Sequence, residues 1–171
     1  MKQLRGKYAK KFIKNLPKRD KSVVLILENV QYATNVANIF RTAESAGVEK
    51  IYLTGVSKTP PFGKDLKKVS RGAERKVTHE SIMSALNVIP TLKNDGYVIL
   101  AIELVEGAIM LEELKDFLKH HQKICFIAGS EDSGVNRTSL ELCDGAVTIP
   151  MYGKNPSLNV TVSVGIVLFS F

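Results

Sequence analysis

SVVLILENVQYATNVANIFRTAESAGVEKIYLT, residues 22–54, decides the fold class. Val23 to Leu27 form a continuous β-prone apolar run, the pattern of a strand covered on both faces in a parallel sheet rather than the alternation of a half-exposed one. A polar loop follows, and residues 36–46 read as a helix that stops at Gly47, a natural residue just past a helix end. Residues 51–54 return as a second strand. Strand, helix and strand joined by short links make a βαβ unit.

The alternation continues outward from this unit. A basic insertion at 55–76, a helical stretch centred on 81–94 and a strand at 97–102 come next, followed by a helix around 111–119, a strand at 124–128 and a Gly/Ser/Asp loop. A short helix from about Thr138, a strand at 146–149, a loop at 150–156 and a final apolar helix over 157–171 complete the reading. Pro90 is expected to divide the 81–94 stretch, with Asn87 capping its second half. The expected fold class is α/β, a mostly parallel sheet flanked by helices. Residues 1–21 precede it as a basic extension with a helix over 2–15, whose apolar side (Leu4, Tyr8, Phe12, Ile13) is expected to dock on the body formed by 22–171. Phe169 and Phe171, at the end of a segment apolar almost all round, point to burial against a partner subunit.

With 171 residues the chain has the size of one domain, able to bury a core without metal or disulfides. No apolar run approaches the roughly 18 residues that cross a bilayer, and the leader lacks the apolar stretch of a secretory signal. A cytoplasmic protein with no membrane role is expected. Cys125 and Cys143 form no CxxC, and His79, His120 and His121 have no partners at ligand spacing, so no metal is expected. Cys125, within an apolar run, reads as a small buried hydrophobe. Residues 1–21 carry nine Lys/Arg against Asp20, a net of +8, while residues 22–171 carry fifteen against sixteen, a net of −1. A second local patch runs from Lys58 to Lys76, with seven basic residues against Asp65 and Glu74. Such clusters attract phosphate backbones in a salt-dependent way, although a solvated basic tail has the same composition.

Ligands of open α/β sheets bind at loops leaving the carboxyl ends of strands. Three such loops are unusual. Residues 28–38 offer four side-chain amides leading to Asn38 and Arg41, with Asn35 a candidate helix cap or ligand contact. Residues 129–135, GSEDSGV, bracket two carboxylates with two glycines that permit close backbone approach; a plain strand-to-helix turn explains the glycines equally well, but the two adjacent acids less well. Residues 149–160, IPMYGKNPSLNV, run into the last helix, with Ser157 read as its N-cap after Pro156 and Asn159 in its first turn. No GxGxxG, GxxxxGK[ST] or GxSxG occurs, so dinucleotide, P-loop and α/β-hydrolase chemistry lack their parts. The residues alone reach a polar site suited to a methyl donor or a nucleotide.

NVANIFRTA (35–43), GSEDSGV (129–135) and IPMYGKNPSLNV (149–160) resemble, in order and spacing, the three motifs of the SpoU or TrmH-like family of RNA ribose methyltransferases in the SPOUT superfamily, with Ala37 where a glycine is usual. The resemblance covers roughly residues 22–170 and leaves the leader outside. It implies a deep C-terminal trefoil knot, which connection rules would otherwise reject, and a homodimer. It also implies S-adenosylmethionine as cofactor, cradled by Ala101, Ile102, Glu103, Gly129, Ile149, Met151 and Leu158. The implied reaction is methylation of a ribose 2′-hydroxyl in structured RNA, transfer or ribosomal, with Arg41 activating the hydroxyl. Asn35 and Glu131 would position groups around it, and Ser157 and Asn159 would hold motif and substrate. A guanidinium is a poor base at neutral pH, so an electrostatic role for Arg41 fits its chemistry better. The family's RNA-facing region corresponds to residues 64–76, which marks Lys67, Lys68, Ser70, Arg71, Gly72 and Arg75, with Lys10 and Lys11 of the leader as added phosphate contacts. An RNA-binding relative without methyl transfer and a base-methylating relative are the competing readings.

Overall fold

The structure, a computed structural model, describes residues 3–171. Seven strands form one sheet: β1 (Ser22–Glu28), β2 (Lys50–Thr54), β3 (Thr78–Ile82), β4 (Val98–Ile102), β5 (Ile109–Met110), β6 (Lys123–Ala128) and β7 (Gly145–Thr148), in the order β3-β2-β1-β6-β4-β7-β5. Every pairing is parallel. Seven α-helices accompany it: α1 (Gly6–Lys14), α2 (Ala33–Ala46), α3 (Lys64–Ser70), α4 (Ala85–Asn94), α5 (Leu114–Phe117), α6 (Arg137–Leu140) and α7 (Val160–Leu168).

The two-sided burial read from 23–27 is realised by strict alternation. Val23, Leu25 and Leu27 of β1, with Ile124 and Phe126 of β6, join the core under α2 and α7; Val24 and Ile26, with Cys125 and Ile127, join the core under α4. The chain builds β1, β2 and β3 outward on one side, then crosses to the other, where β6 inserts between β1 and β4. The carboxyl ends of β1, β4, β6 and β7 therefore converge near that crossover, where open parallel sheets leave a crevice.

Several local expectations are corrected. The α2 helix starts three residues before 36. Residues 78–82 are an edge strand beside β2, which takes 81–82 out of the expected helical stretch. Pro90 does not split α4, which runs unbroken from the Ser84 cap, whose hydroxyl accepts from Leu86 N–H at 3.2 Å; Asn87 lies inside it. The insertion at 55–76 contains α3, and the expected helix at 111–119 is one α-turn between two 3-10 turns. The stripe of α1 does not dock: Leu4, Tyr8, Phe12 and Ile13 are all exposed, and α1 buries nothing. Residue 2 of the expected helix lies outside the described residues. The leader is instead fastened at Arg19, which donates from Nε to the Ala46 carbonyl at 3.0 Å and from Nη2 to the Leu168 carbonyl, and stacks over Phe171 at 4.3 Å. It thus satisfies last-turn carbonyls of both α2 and α7. Burial, partly offset by Asp20, lowers its pKa from the ordinary guanidinium value.

Candidate active site at the carboxyl ends of the strands

The loop after β6 is shaped by its glycines. A Cβ on Gly129 would lie 1.9 Å from the Gly134 carbonyl carbon, and Gly134 combines φ +65° with a Cβ position 2.1 Å from a Glu103 carboxylate oxygen. A side chain at Gly129 would collide with backbone, and one at Gly134 would sit on strained backbone and displace the Glu103 carboxylate. Ser130 and Gly134 exchange backbone hydrogen bonds at 3.0 Å, and the Ser130 and Ser133 hydroxyls meet at 2.8 Å, so the loop is a closed turn. Its outer end is held by Glu103, which accepts from Val135 N–H at 2.9 Å.

That turn aims Glu131 at the start of α2. Its carboxylate accepts from Asn35 Nδ2 at 2.7 Å and from the backbone N–H groups of Gln31 at 3.2 Å and Tyr32 at 3.4 Å. A carboxylate can only accept, so the Asn35 amide must present its NH2 to Glu131 and its oxygen away. That oxygen takes Asn159 Nδ2 at 3.2 Å and Thr161 Oγ1 at 3.4 Å, while Asn159 Oδ1 accepts from Thr161 N–H at 2.9 Å. One directed chain, Asn159 to Asn35 to Glu131, joins all three loops. The expected caps are reassigned by it: Asn159, not Ser157, is the N-cap of α7, and Asn35 sits in the first turn of α2 without capping it.

Beside this chain lies a cavity of about 330 Å³. Of the residues assigned to the cofactor, Ile102, Glu103, Gly129, Ile149, Met151 and Leu158 line it. Ala101 does not; it is fully buried in the core under α4. Ser157 and Glu131 line it as well, whereas Asn35, Asn159 and Arg41 stand outside. Three carboxylates, Glu103, Glu131 and Asp132, contribute to the wall, and among the described residues no Lys, Arg or His does.

Arg41 is exposed on α2, and its guanidinium has no hydrogen bond or ion pair among the described residues. Of the basic segment, Lys67, Lys68, Arg71 and Arg75 are exposed, with Lys68 paired to Asp65 at 2.9 Å. Ser70 and Gly72 are buried and cannot be surface contacts. Lys10 and Lys11 project from the undocked α1.

The model of the SpoU rRNA Methylase family matches residues 22–169. The chain belongs to the SpoU methylase family. It is 30% identical to the tRNA (guanosine(18)-2′-O)-methyltransferase of Aquifex aeolicus (strain VF5) over 154 residues, which cover 90% of this chain and 70% of that one. Its fold is similar to the crystal structure of the A. aeolicus TrmH/SpoU tRNA modifying enzyme, with a TM-score of 0.78 and 27% identity over 94% of this chain and 79% of that one. It is also similar to an AdoMet-bound rRNA methyltransferase from Sinorhizobium meliloti, with a TM-score of 0.78 and 22% identity over 92% of this chain and 58% of that one, a likeness of fold. The chain spans 57% to 70% of the length of the curated relatives compared with it.

Within this SpoU methylase, sequence reasoning missed Glu28. At the end of β1 it is 3% exposed and accepts from Asn136 N–H at 2.8 Å and Ser139 Oγ at 2.6 Å, tying the start of α6 to the sheet. An acid closing an apolar strand run was the available signal. Both cysteines sit where ionisation of the thiol is disfavoured. Burial pushes the Cys125 thiol well up, and burial followed by Asp144 pushes Cys143 up to about 12. Among the described residues no group of three or more potential ligands could hold a metal, and no helix is long and apolar enough to cross a membrane.

Proposed function

We propose that this SpoU methylase transfers the methyl group of S-adenosylmethionine to a ribose 2′-hydroxyl of a structured RNA, transfer or ribosomal. The observation that carries the reading is the directed Asn159–Asn35–Glu131 chain beside a cavity walled by three carboxylates and, among the described residues, no basic side chain. That wall suits a ligand bearing sulfonium and ammonium charges and disfavours a nucleoside di- or triphosphate. The apolar side chains of Ile102, Ile149, Met151 and Leu158 suit an adenine ring, and backbone around Gly129 can approach the ligand closely. Ala101 is left as a core residue beneath the site. When bound, the cofactor supplies an electrophilic methyl carbon.

The chain's own residues supply position and charge. Each Asn amide has a second N–H beyond the one committed in the network, available to ribose oxygens. Glu131 fixes Asn35 and Ser157 faces the cavity, while the Arg41 guanidinium, without a partner among the described residues, takes the neighbouring phosphate and the charge developing on the 2′-oxygen. Residues 22–171 form the methyltransferase domain. The leader adds phosphate contacts through Lys10 and Lys11, with exposed Tyr8 and Phe12 offering stacking surfaces. The C-terminal segment threads a trefoil knot, a reading supported by α7 packing back on α2 and by Thr161 reaching Asn35 across 126 positions of sequence. Exposed Leu158, Val162 and Phe169 support a homodimer, working in the cytoplasm where its RNA is found.

The test is methyl transfer from labelled S-adenosylmethionine to RNA extracted from cells lacking the protein, followed by alkaline hydrolysis. A 2′-O-methyl product leaves an alkali-resistant bond 3′ of the modified nucleotide. Label recovered only in bases, or RNA binding with no label, would overturn the reading in favour of the base-methylating or the non-catalytic alternative.

A further inference from the structure

The basic segment contains two locally unfavourable features side by side. Arg71, exposed and carrying a Cβ, is in the left-handed region at φ +53°, ψ +31°, followed by Gly72 at φ +77°. Left-handed backbone is costly for any residue but glycine, and such strain persists only where the surroundings impose it. Three residues on, Glu74 is 5% exposed, with its Oε1 buried and without a hydrogen-bond partner. A carboxylate is seldom buried half-satisfied unless the position has a use.

The two features are one device. Ser70, fully buried, donates its hydroxyl to Glu74 Oε2 at 2.5 Å and accepts from Gly72 N–H at 3.3 Å, bridging both ends of the turn whose apex is Arg71. Burial alone would raise the Glu74 carboxyl, but the Ser70 hydroxyl, its own backbone N–H and the charges of Arg75 and Lys67 outweigh it and hold it below the ordinary carboxylate value. The acceptor is thus ionised at neutral pH, where its bond to Ser70 is strongest.

We propose that Ser70 and Glu74 are positioning residues that lock the strained turn so that the Arg71 guanidinium projects from the surface, pre-set to grip an RNA phosphodiester. This rests on the RNA-methylating reading above and reassigns Ser70 from RNA contact to support. Arg71 is suited to the task because its planar fork matches a phosphate in a fixed geometry, and fixing the backbone beforehand removes the cost of ordering it on binding.

A double-mutant cycle tests this with two readouts: RNA affinity by filter binding across a salt series, and steady-state methyl transfer, both on RNA extracted from cells lacking the protein. Ser70→Ala is expected to raise Kd and KM for RNA about five- to tenfold while kcat and S-adenosylmethionine affinity stay unchanged. Glu74→Gln keeps an acceptor for Ser70 but loses the charge that strengthens the bond, so its rise in Kd and KM for RNA should fall between wild type and Ser70→Ala. Arg71→Ala should weaken RNA binding by a similar factor and lower the salt slope by about one. The combined Ser70→Ala, Arg71→Ala chain should bind no worse than Arg71→Ala alone, because Ser70 acts through Arg71. Losses that add, or RNA binding untouched by Ser70→Ala, overturn the inference. A wild-type chain that binds RNA without methylating it leaves the binding arm to decide this point while the catalytic reading fails; a wild-type chain that binds no RNA sinks both.

Discussion

Replacing Glu131 by alanine tests whether the directed hydrogen-bond chain organises the candidate site. The substitution removes one short charge-assisted bond, from Asn35 Nδ2 at 2.7 Å, and two longer ones from Gln31 and Tyr32 N–H at 3.2 and 3.4 Å. Water can replace the carboxylate at the two exposed backbone donors but cannot orient the Asn35 amide. A hydrogen bond to a charged group contributes roughly 1.5–3 kcal/mol, and the half-buried setting argues for the lower part of that range, about 1.5–2 kcal/mol. At roughly 1.4 kcal/mol per decade, kcat/KM should fall about 10- to 30-fold. Glutamine should be intermediate. Its oxygen can serve Asn35 only by turning its NH2 toward the Gln31 donor, and Asn35 cannot reverse, because its oxygen is committed to Asn159, whose own oxygen holds Thr161 N–H. The assay is single-turnover methyl transfer at saturating cofactor, with the melting temperature as a check that the fold survives to within about 4 °C. An alanine variant within twofold of wild type, or a glutamine variant worse than alanine, would refute the chain as the organiser of Asn35.

Three further outcomes are expected. Arg41→Lys should leave the melting temperature unchanged, since the guanidinium has no partner among the described residues, yet lower turnover about tenfold or more by losing the bidentate fork; near-normal turnover excludes a fixed guanidinium role. Deleting residues 1–15 should weaken RNA binding and flatten its salt dependence by roughly 0.7–0.9 for each phosphate no longer neutralised, with cofactor affinity unchanged, whereas deleting 1–20 also removes Arg19 and should lower the melting temperature. Cys143, with its thiol pushed up to about 12, should resist Ellman's reagent at pH 8 in the folded chain. Because the unfolded chain ionises this thiol near about 8.5 and the fold keeps it neutral, stability should decline as pH rises from there toward 12, a trend that Cys143→Ala should reduce.

The sheet was legible wherever burial on both faces left a continuous apolar run, as in β1, β4 and β6, because that pattern depends on residue type alone. It failed at the sheet's margins. In β3, Thr78–Ile82 shows no fully buried residue, and three polar residues, His79, Glu80 and Ser81, leave Ile82 as its one apolar side chain, so no apolar run marks it; its strand character comes from pairing with β2, which is a tertiary fact. The α1 error has the opposite origin. Its apolar and basic residues segregate cleanly enough to read as a docking face, but amphipathicity reports only that a helix has two faces, not that this chain covers either of them.

The same distinction governs the site. Each of the three loops was visible as an anomaly of composition, and in 129–135 Gly129 is required by backbone contact while Gly134 suits a left-handed turn that a Gly/Ser/acid loop foreshadows. What composition could not settle was which polar side chain caps and which reaches. Ser157 and Asn159 stand two residues apart before the same apolar run, and either satisfies the local rules for an N-cap. The choice falls to Asn159 because the chain must deliver Asn159 Nδ2 to Asn35, 124 positions away, while Asn159 Oδ1 holds Thr161 N–H. A single amide does both only at the first position outside the helix, where the backbone is still extended and the side chain can reach across the loop as well as back to the helix. Capping and network membership are therefore one requirement at Asn159, and a serine at that position could cap the helix but would have no second arm with which to hold Asn35 in register with Glu131.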